Sequence, residues 1–199
     1  MPVPERSGPV QITRRHTTVG SAPFSGAALR IFSAKPGLST STEHPHSSQH
    51  TEFATEFAND FDIEVAEAWS IEAAELLEDR CLVPTGIPVY LKKIRENDVP
   101  SWLWRHTADR EALERLGPAD RTRPETGLPA IVTRIAGGWA YQGWKSGYFE
   151  SDGDARAFYD EIRWLLFHQH LSPELAVWRH EGVFWAYGIE ATPGGAITD

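Results

Sequence analysis

Apolar side chains recur at helical spacing beyond Ser151. Ala155, Phe158, Tyr159, Ile162, Leu165 and Leu166 fall at the i, i+3, i+4, i+7 positions of one buried helical face. Ser151 stands at the N-cap, and Asp154 three residues on completes a capping-box-like pair. Asp152 and Asp154 also sit where the positive end of the helix dipole favours carboxylates. Pro173, two residues past Leu171, is expected to mark the stop. Upstream, Gly137, Gly138, Gly143 and Gly147 separate Trp139, Tyr141, Trp144, Tyr148 and Phe149. That alternation predicts close packing of a helix end and a turn, not catalysis.

The same pattern predicts further elements. Ser70 is placed to cap a helix over Ile71–Cys81, with Ile71, Ala74 and Leu77 or Leu76 facing inward, ended by Pro84, Gly86 and Pro88. Residues 89–94 (VYLKKI) fit a short strand or a helical turn. Thr107 is placed to cap a helix over 108–116, closed by Gly117 and Pro118. Residues 120–127 read as a polar loop, and Pro129 suits the first turn of a helix running to about Trp144. Residues 178–189 are aromatic and β-prone around Phe184, Trp185 and Tyr187, and predict an extended C-terminal stub. Residues 1–60 read as a largely disordered lead-in, with short extended pieces fitting 12–20 and 27–33. Within it, residues 36–51 form a Ser/Thr/His-rich linker with too little apolar content to order itself. The expected architecture is mainly α: a small helical domain over 61–199 with short extended segments at the ends and a disordered N-terminal region.

Composition narrows the function classes. A chain of 199 residues with 41% apolar content can bury one ordinary core. Its formal charge of −9 argues against binding a phosphate backbone, so no nucleic-acid partner is expected. No apolar run approaches the roughly 20 residues needed to span a bilayer, and the N-terminus lacks the order of a secretory signal. A cytoplasmic protein with no membrane partner is the expectation.

Candidate chemistry is sparse. Cys81 is the one cysteine, which excludes an intrachain disulfide and a cysteine-based metal site, and reads as a buried thiol. His44, His46 and His50 lie in a linker with no frame to hold ligands. His168 and His170, with His180 near by, stand at i and i+2, a poor spacing for joint ligands on a helix. Asp160 and Glu161 are adjacent and diverge, so they read as a solvated face rather than a catalytic pair. Neither G-x-x-x-x-G-K nor G-x-G-x-x-G is present. No catalytic residue and no metal site is predicted.

The run GWKSGYFESDGDARAFYDEIRWLL at 143–166, followed by FWAYGIE at 184–190, resembles the N-terminal region of adenosylcobalamin-dependent (class II, vitamin B12-dependent) ribonucleotide reductases. VPSWLW at 99–104, RRHTTVGSAPFSG at 14–26 and IEVAEAWS at 63–70 are similar to further segments of that family, so the resemblance covers most of the chain apart from the linker. It implies a helical domain preceding a large α/β barrel, in which a cobalamin-derived radical and cysteines reduce the ribose 2′ position. The barrel is expected to begin about where this sequence stops.

The resemblance also implies a substrate-pocket segment. The family typically reads Pro-Asn-Ser-Pro-Gln-Trp-Phe-Asn-Thr-Gly where this chain reads PELAVWRHEG at 173–182. Pro173, Trp178 and Gly182 match. Leu175 and Ala176 stand in place of the Ser-Pro pair, and Arg179-His180 in place of Phe-Asn, which removes polar partners a nucleotide would need. The thiyl route needs three cysteines, against one here. The implied function is thus the N-terminal domain, or a truncated relative, of a reductase that makes deoxyribonucleotides for DNA synthesis. Adenosylcobalamin would belong to the full-length family and no cofactor to this chain alone. The expected partner is the barrel, in cis or from another chain, or a second copy through the C-terminal aromatics, which are expected to be exposed. The other reading is a stand-alone binding or regulatory module that kept the scaffold and lost the site.

Overall fold

The computed structural model describes residues 8–20, 24, 27–33 and 62–190. The histidines of the 36–51 linker and the tail beyond 190 lie outside the described residues. The fold is helix-rich but mixed, with three two-stranded antiparallel sheets among the described residues.

The centre is a pair of helices, α3 (Leu128–Lys145) and α4 (Asp152–Phe167). Pro129 occupies the first turn of α3, where no intrahelical N–H is lost. Ser151 caps α4 as its sequence requires, its hydroxyl accepting from the Asp154 amide at 3.2 Å. Helix α4 ends earlier than Pro173 suggests. His168 is the C-cap and Gln169 adopts a left-handed conformation at φ 58°, so the chain turns before the proline is reached.

Strand β1 (Leu29–Phe32) pairs with β2 (Ile63–Ala66), whose Ile63 and Val65 enter the main core beside Leu128, Ile131 and Ile135 of α3. Ser70 then caps α1 (Ile71–Leu76), accepting from Ala73. The helix continues as one π-helical turn, Leu77–Cys81, with Leu82 N–H donating to the Leu77 carbonyl. Ala74 and Leu77 face inward as expected. Ile71 and Leu76 do not: both are largely exposed, and Leu77 and Cys81 of the π-turn take the core side.

Strand β3 (Ile87–Pro88) pairs with β6 (Thr122–Arg123), and β4 (Leu91–Lys93) with β5 (His106–Ala108). Residues 89–94 are therefore partly strand. Thr107 is not a helix cap. It lies in β5 opposite Lys92, and the carboxylate of Asp109 caps α2 (Arg110–Glu114) instead. The stretch 120–127 is no simple polar loop, since it carries β6 and the buried Glu125.

The C-terminal stretch is helical, not extended. Helix α5 (Leu175–His180) and helix α6 (Val183–Tyr187) are divided by Gly182, which is left-handed at φ 75°. Local β-propensity loses to packing. The ring of Trp185 lies against Gly137 of α3, where an added Cβ would fall 2.0 Å from it, and its Nε1–H donates to the Leu103 carbonyl. Trp178 and Trp185 are buried, so among the aromatics expected to be exposed it is Phe184 that faces solvent.

Candidate functional site

The segment singled out by resemblance, Pro173–Gly182, is α5 with its flanks, and one side chain fixes it. Arg134 rises from the middle of α3 with 0% exposure. Its Nη2–H groups donate to the Trp178 carbonyl at 2.7 Å and the Cys81 carbonyl at 3.0 Å, and its Nη1–H donates to the Glu181 carbonyl at 2.6 Å. Its Nε–H donates to Glu125 Oε1 at 2.8 Å and Nη2–H to Oε2 at 3.2 Å, a bidentate pair. Glu125, 1% exposed, also accepts from the Val83 amide at 3.2 Å and from the Tyr187 hydroxyl at 2.7 Å. Charges this deep are tolerable only when paired and hydrogen-bonded, as both are here. Burial, then the adjacent Glu125 charge, pushes the Tyr187 hydroxyl far above its ordinary range, so it remains a donor.

Gly182 belongs to the same arrangement. A Cβ on it would lie 1.8 Å from the Arg134 carbonyl, and one on Gly138 would lie 2.8 Å from the Gly182 Cα. Two glycines thus let α3 and the α5–α6 turn touch backbone to backbone.

Of the segment's other residues, Pro173 is partly buried before α5, Trp178 meets Trp69 edge-on at 6.2 Å, and Leu175 and Ala176 are exposed. Pro173, Leu175 and Trp178 line a 230 Å³ cavity with Trp69, Leu77 and Cys81. Burial pushes the Cys81 thiol up to about 11, the nearby Arg134 charge opposing it, so Cys81 is a protonated core thiol and no nucleophile.

Asp160 and Glu161 are not a solvated face. Both are buried beneath the chain's own N-terminal strap, residues 8–20. Arg14 pairs with Asp160 at 2.8 Å, and Ile12 N–H donates to Asp154 at 2.7 Å. Glu161 accepts from the His16 amide, the Thr17 amide at 2.8 Å and the Thr17 hydroxyl at 2.6 Å. Burial raises the Glu161 pKa, but these hydrogen bonds outweigh it and hold the carboxyl below its ordinary value. His16, His168 and His170 stack on Trp164, at 4.0, 4.2 and 5.1 Å between ring centroids. His180 ends α5 and is exposed. Among the described residues no group of three or more His, Cys, Asp or Glu is placed to hold a metal, and no helix is long and apolar enough to cross a membrane.

Residues 47–169, more than half of the chain, match the family model described as class II vitamin B12-dependent ribonucleotide reductase. The chain belongs to that family. It resembles the vitamin B12-dependent ribonucleotide reductase of Bradyrhizobium diazoefficiens, at 37% identity over 185 residues, 93% of this chain and 14% of that protein. It resembles the enzyme of the same name from Agrobacterium fabrum, at 44% identity over 133 residues, 67% of this chain and 10% of that protein. The chain thus spans a small share of its curated relatives, corresponding to their N-terminal part. The helices α5 and α6 lie beyond the family-model match.

Sequence reasoning misses Arg134 and Glu125. An arginine set among Ile131, Val132 and Ile135 in an apolar helix is the available signal, since a lone charge there needs a buried partner.

Proposed function

We propose that this chain is the N-terminal scaffold of a cytoplasmic, vitamin B12-dependent reductase that converts ribonucleotides to deoxyribonucleotides for DNA synthesis. The chemistry resides in an α/β barrel, carried on the same polypeptide or supplied by another chain. One observation carries the reading: the fully buried Arg134 guanidinium ties α3 to both ends of the segment 178–181, inside the stretch that resembles the family's substrate-pocket segment. Elements held by such buried hydrogen bonds position neighbouring groups precisely.

This chain's residues do not fit adenosylcobalamin. Among the described residues, a 230 Å³ cavity and a 440 Å³ cavity are of small-ligand size, with mostly apolar walls. Cys81 cannot serve as both radical carrier and dithiol. The isolated chain, given adenosylcobalamin, a ribonucleotide and an external dithiol, is expected to give no turnover and no calorimetric binding of the cofactor. Turnover above a no-protein control would overturn the scaffold reading.

A further inference from the structure

Arg163 of α4 is a cation without an anion. Its guanidinium lies over the rings of Phe24 and Tyr159, 4.7 and 4.9 Å from their centroids. Its Nε–H is buried and meets no acceptor, and among the described residues no carboxylate lies within ion-pair distance of it. Asp160 is the one carboxylate whose charge bears on Arg163, and Asp160 is already held by Arg14 of the strap at 2.8 Å. Burial lowers the Arg163 pKa, and Tyr159 and Asp160 do not make up the difference, yet a guanidinium stays charged near neutral pH.

Arg156, two turns earlier on α4, is in a similar position. Its guanidinium lies 5.4 Å from the same Tyr159 ring and 4.8 Å from the Trp102 ring. It stands 3.6 Å from Asp160, close enough for attraction but too far for a hydrogen bond. The neighbouring acids of α4 are bonded elsewhere. Asp152 accepts from the Trp102 indole, Asp154 from Ile12 N–H, and Glu161 from the amides of His16 and Thr17. Two guanidiniums that touch one tyrosine ring therefore keep their N–H donors unused among the described residues. The side chain of Arg156 is 46% exposed, and Arg163 is closed off at Nε but not at its Nη groups.

We propose that Arg156 and Arg163 form a binding site for a phosphate group on the Tyr159 face of α4. Unsatisfied guanidinium forks name their complement, since they match oxyanions in both charge and geometry. A phosphate suits two of them better than a carboxylate does, because it brings three acceptor oxygens and a charge of about −1.5 to −2 at neutral pH. The aromatic faces of Phe24, Tyr159 and Trp102 shield the cations from water and hold them in place before a ligand arrives.

The test is titration of the 199-residue chain with inorganic phosphate at constant ionic strength, followed by nuclear magnetic resonance of the arginine Nε–H groups. Saturable shifts of the Arg156 and Arg163 signals are expected. Arg163→Lys keeps the charge but loses the fork, and should weaken binding by about tenfold or more, read on the Arg156 signal. Arg115→Gln, in an exposed ion pair on α2, should leave binding unchanged. Thermal unfolding gives an independent readout. Phosphate should raise the Tm of the parent by mass action and leave that of Arg163→Met unmoved. Without phosphate, Arg163→Met should be no less stable than the parent, since it removes an unpaired charge. Glycerol 3-phosphate distinguishes the source: binding as tight as that of inorganic phosphate marks a site for a phosphate monoester, and weaker binding marks one for the free ion. A response linear in phosphate, an equal response to acetate or chloride, undiminished binding by Arg163→Lys, or an equal Tm rise in Arg163→Met would each overturn the inference. No turnover is read, so the result stands apart from the reductase reading.

Discussion

Arg134 and Glu125 meet as a bidentate ion pair with no solvent exposure of either side chain, Nε to Oε1 at 2.8 Å. The pair joins α3 to the end of the π-turn, the strand-bearing connection and both ends of the α5–α6 corner. Its value lies in what it would leave behind if broken. Removing one partner strands a buried charge, at roughly 3–5 kcal/mol, against a total stability of about 5–15 kcal/mol. Arg134→Met should therefore lower the urea midpoint steeply. Adding Glu125→Leu to it should cost less than the sum of the single changes, as coupled sites do. Strictly additive losses in equilibrium unfolding would show that the pair is not coupled.

Two glycines with similar φ angles should respond differently to alanine. At Gly147, φ 65°, an added Cβ would meet nothing within 4 Å, so Gly147→Ala should cost about 1–2 kcal/mol, the left-handed penalty alone. Gly182→Ala adds a Cβ 1.8 Å from a backbone carbonyl, and should cost well beyond that. Thermal unfolding of the two variants distinguishes the cases, and equal losses would contradict the close approach of α3 to the α5–α6 corner.

The strap over α4 should be acid-sensitive. The folded Glu161 carboxyl titrates below its ordinary value of 4.5, so the unfolded chain binds its proton first as pH falls. Its stabilising contribution is present above pH ~4.5 and is lost as pH falls through the lower folded value. Thr17→Val removes the hydroxyl donor to Glu161 and should shrink that pH dependence. Amide exchange of residues 12–17, followed from pH 7 to pH 3 and corrected for intrinsic exchange, should lose protection in the acid limb of the parent. The loss should be smaller in Thr17→Val. A flat profile in the parent would count against the assignment.

The helices of this fold are largely legible in the sequence where their signals are local. Ser70 and Ser151 cap their helices because an N-cap is decided within three residues. The failures at the candidate site and the C-terminus are long-range. Asp160 and Glu161 read as solvated because Arg14 and Thr17, which cover them, lie far away in the chain. Phe184, Trp185 and Tyr187 read as a strand because nothing local announces that Gly137 admits the Trp185 ring against α3. Asp109 wins the cap from Thr107 because Thr107 is committed to pairing with Lys92. In the candidate site, Trp178 and Gly182 are visible as matched positions, whereas the residue that holds them, Arg134, is not.

Cys81 should be inert while the protein is folded. With its thiol pushed up to about 11 and its side chain buried, native alkylation by iodoacetamide at about pH 8 should be slower than in urea by at least roughly a hundredfold. Comparable rates in the two conditions would mean that the core around Trp69 and Trp178 opens readily.

The central claim is that this chain is a scaffold completed by a catalytic barrel, and one chimera tests it most directly. In the Bradyrhizobium reductase, the stretch matched here would be replaced by this chain, and nucleotide reduction measured with adenosylcobalamin and an external dithiol. The scaffold account predicts turnover within about tenfold of the parent enzyme, a barrier change of ~1.4 kcal/mol or less. A chimera that folds and binds the cofactor yet reduces no ribonucleotide would contradict it.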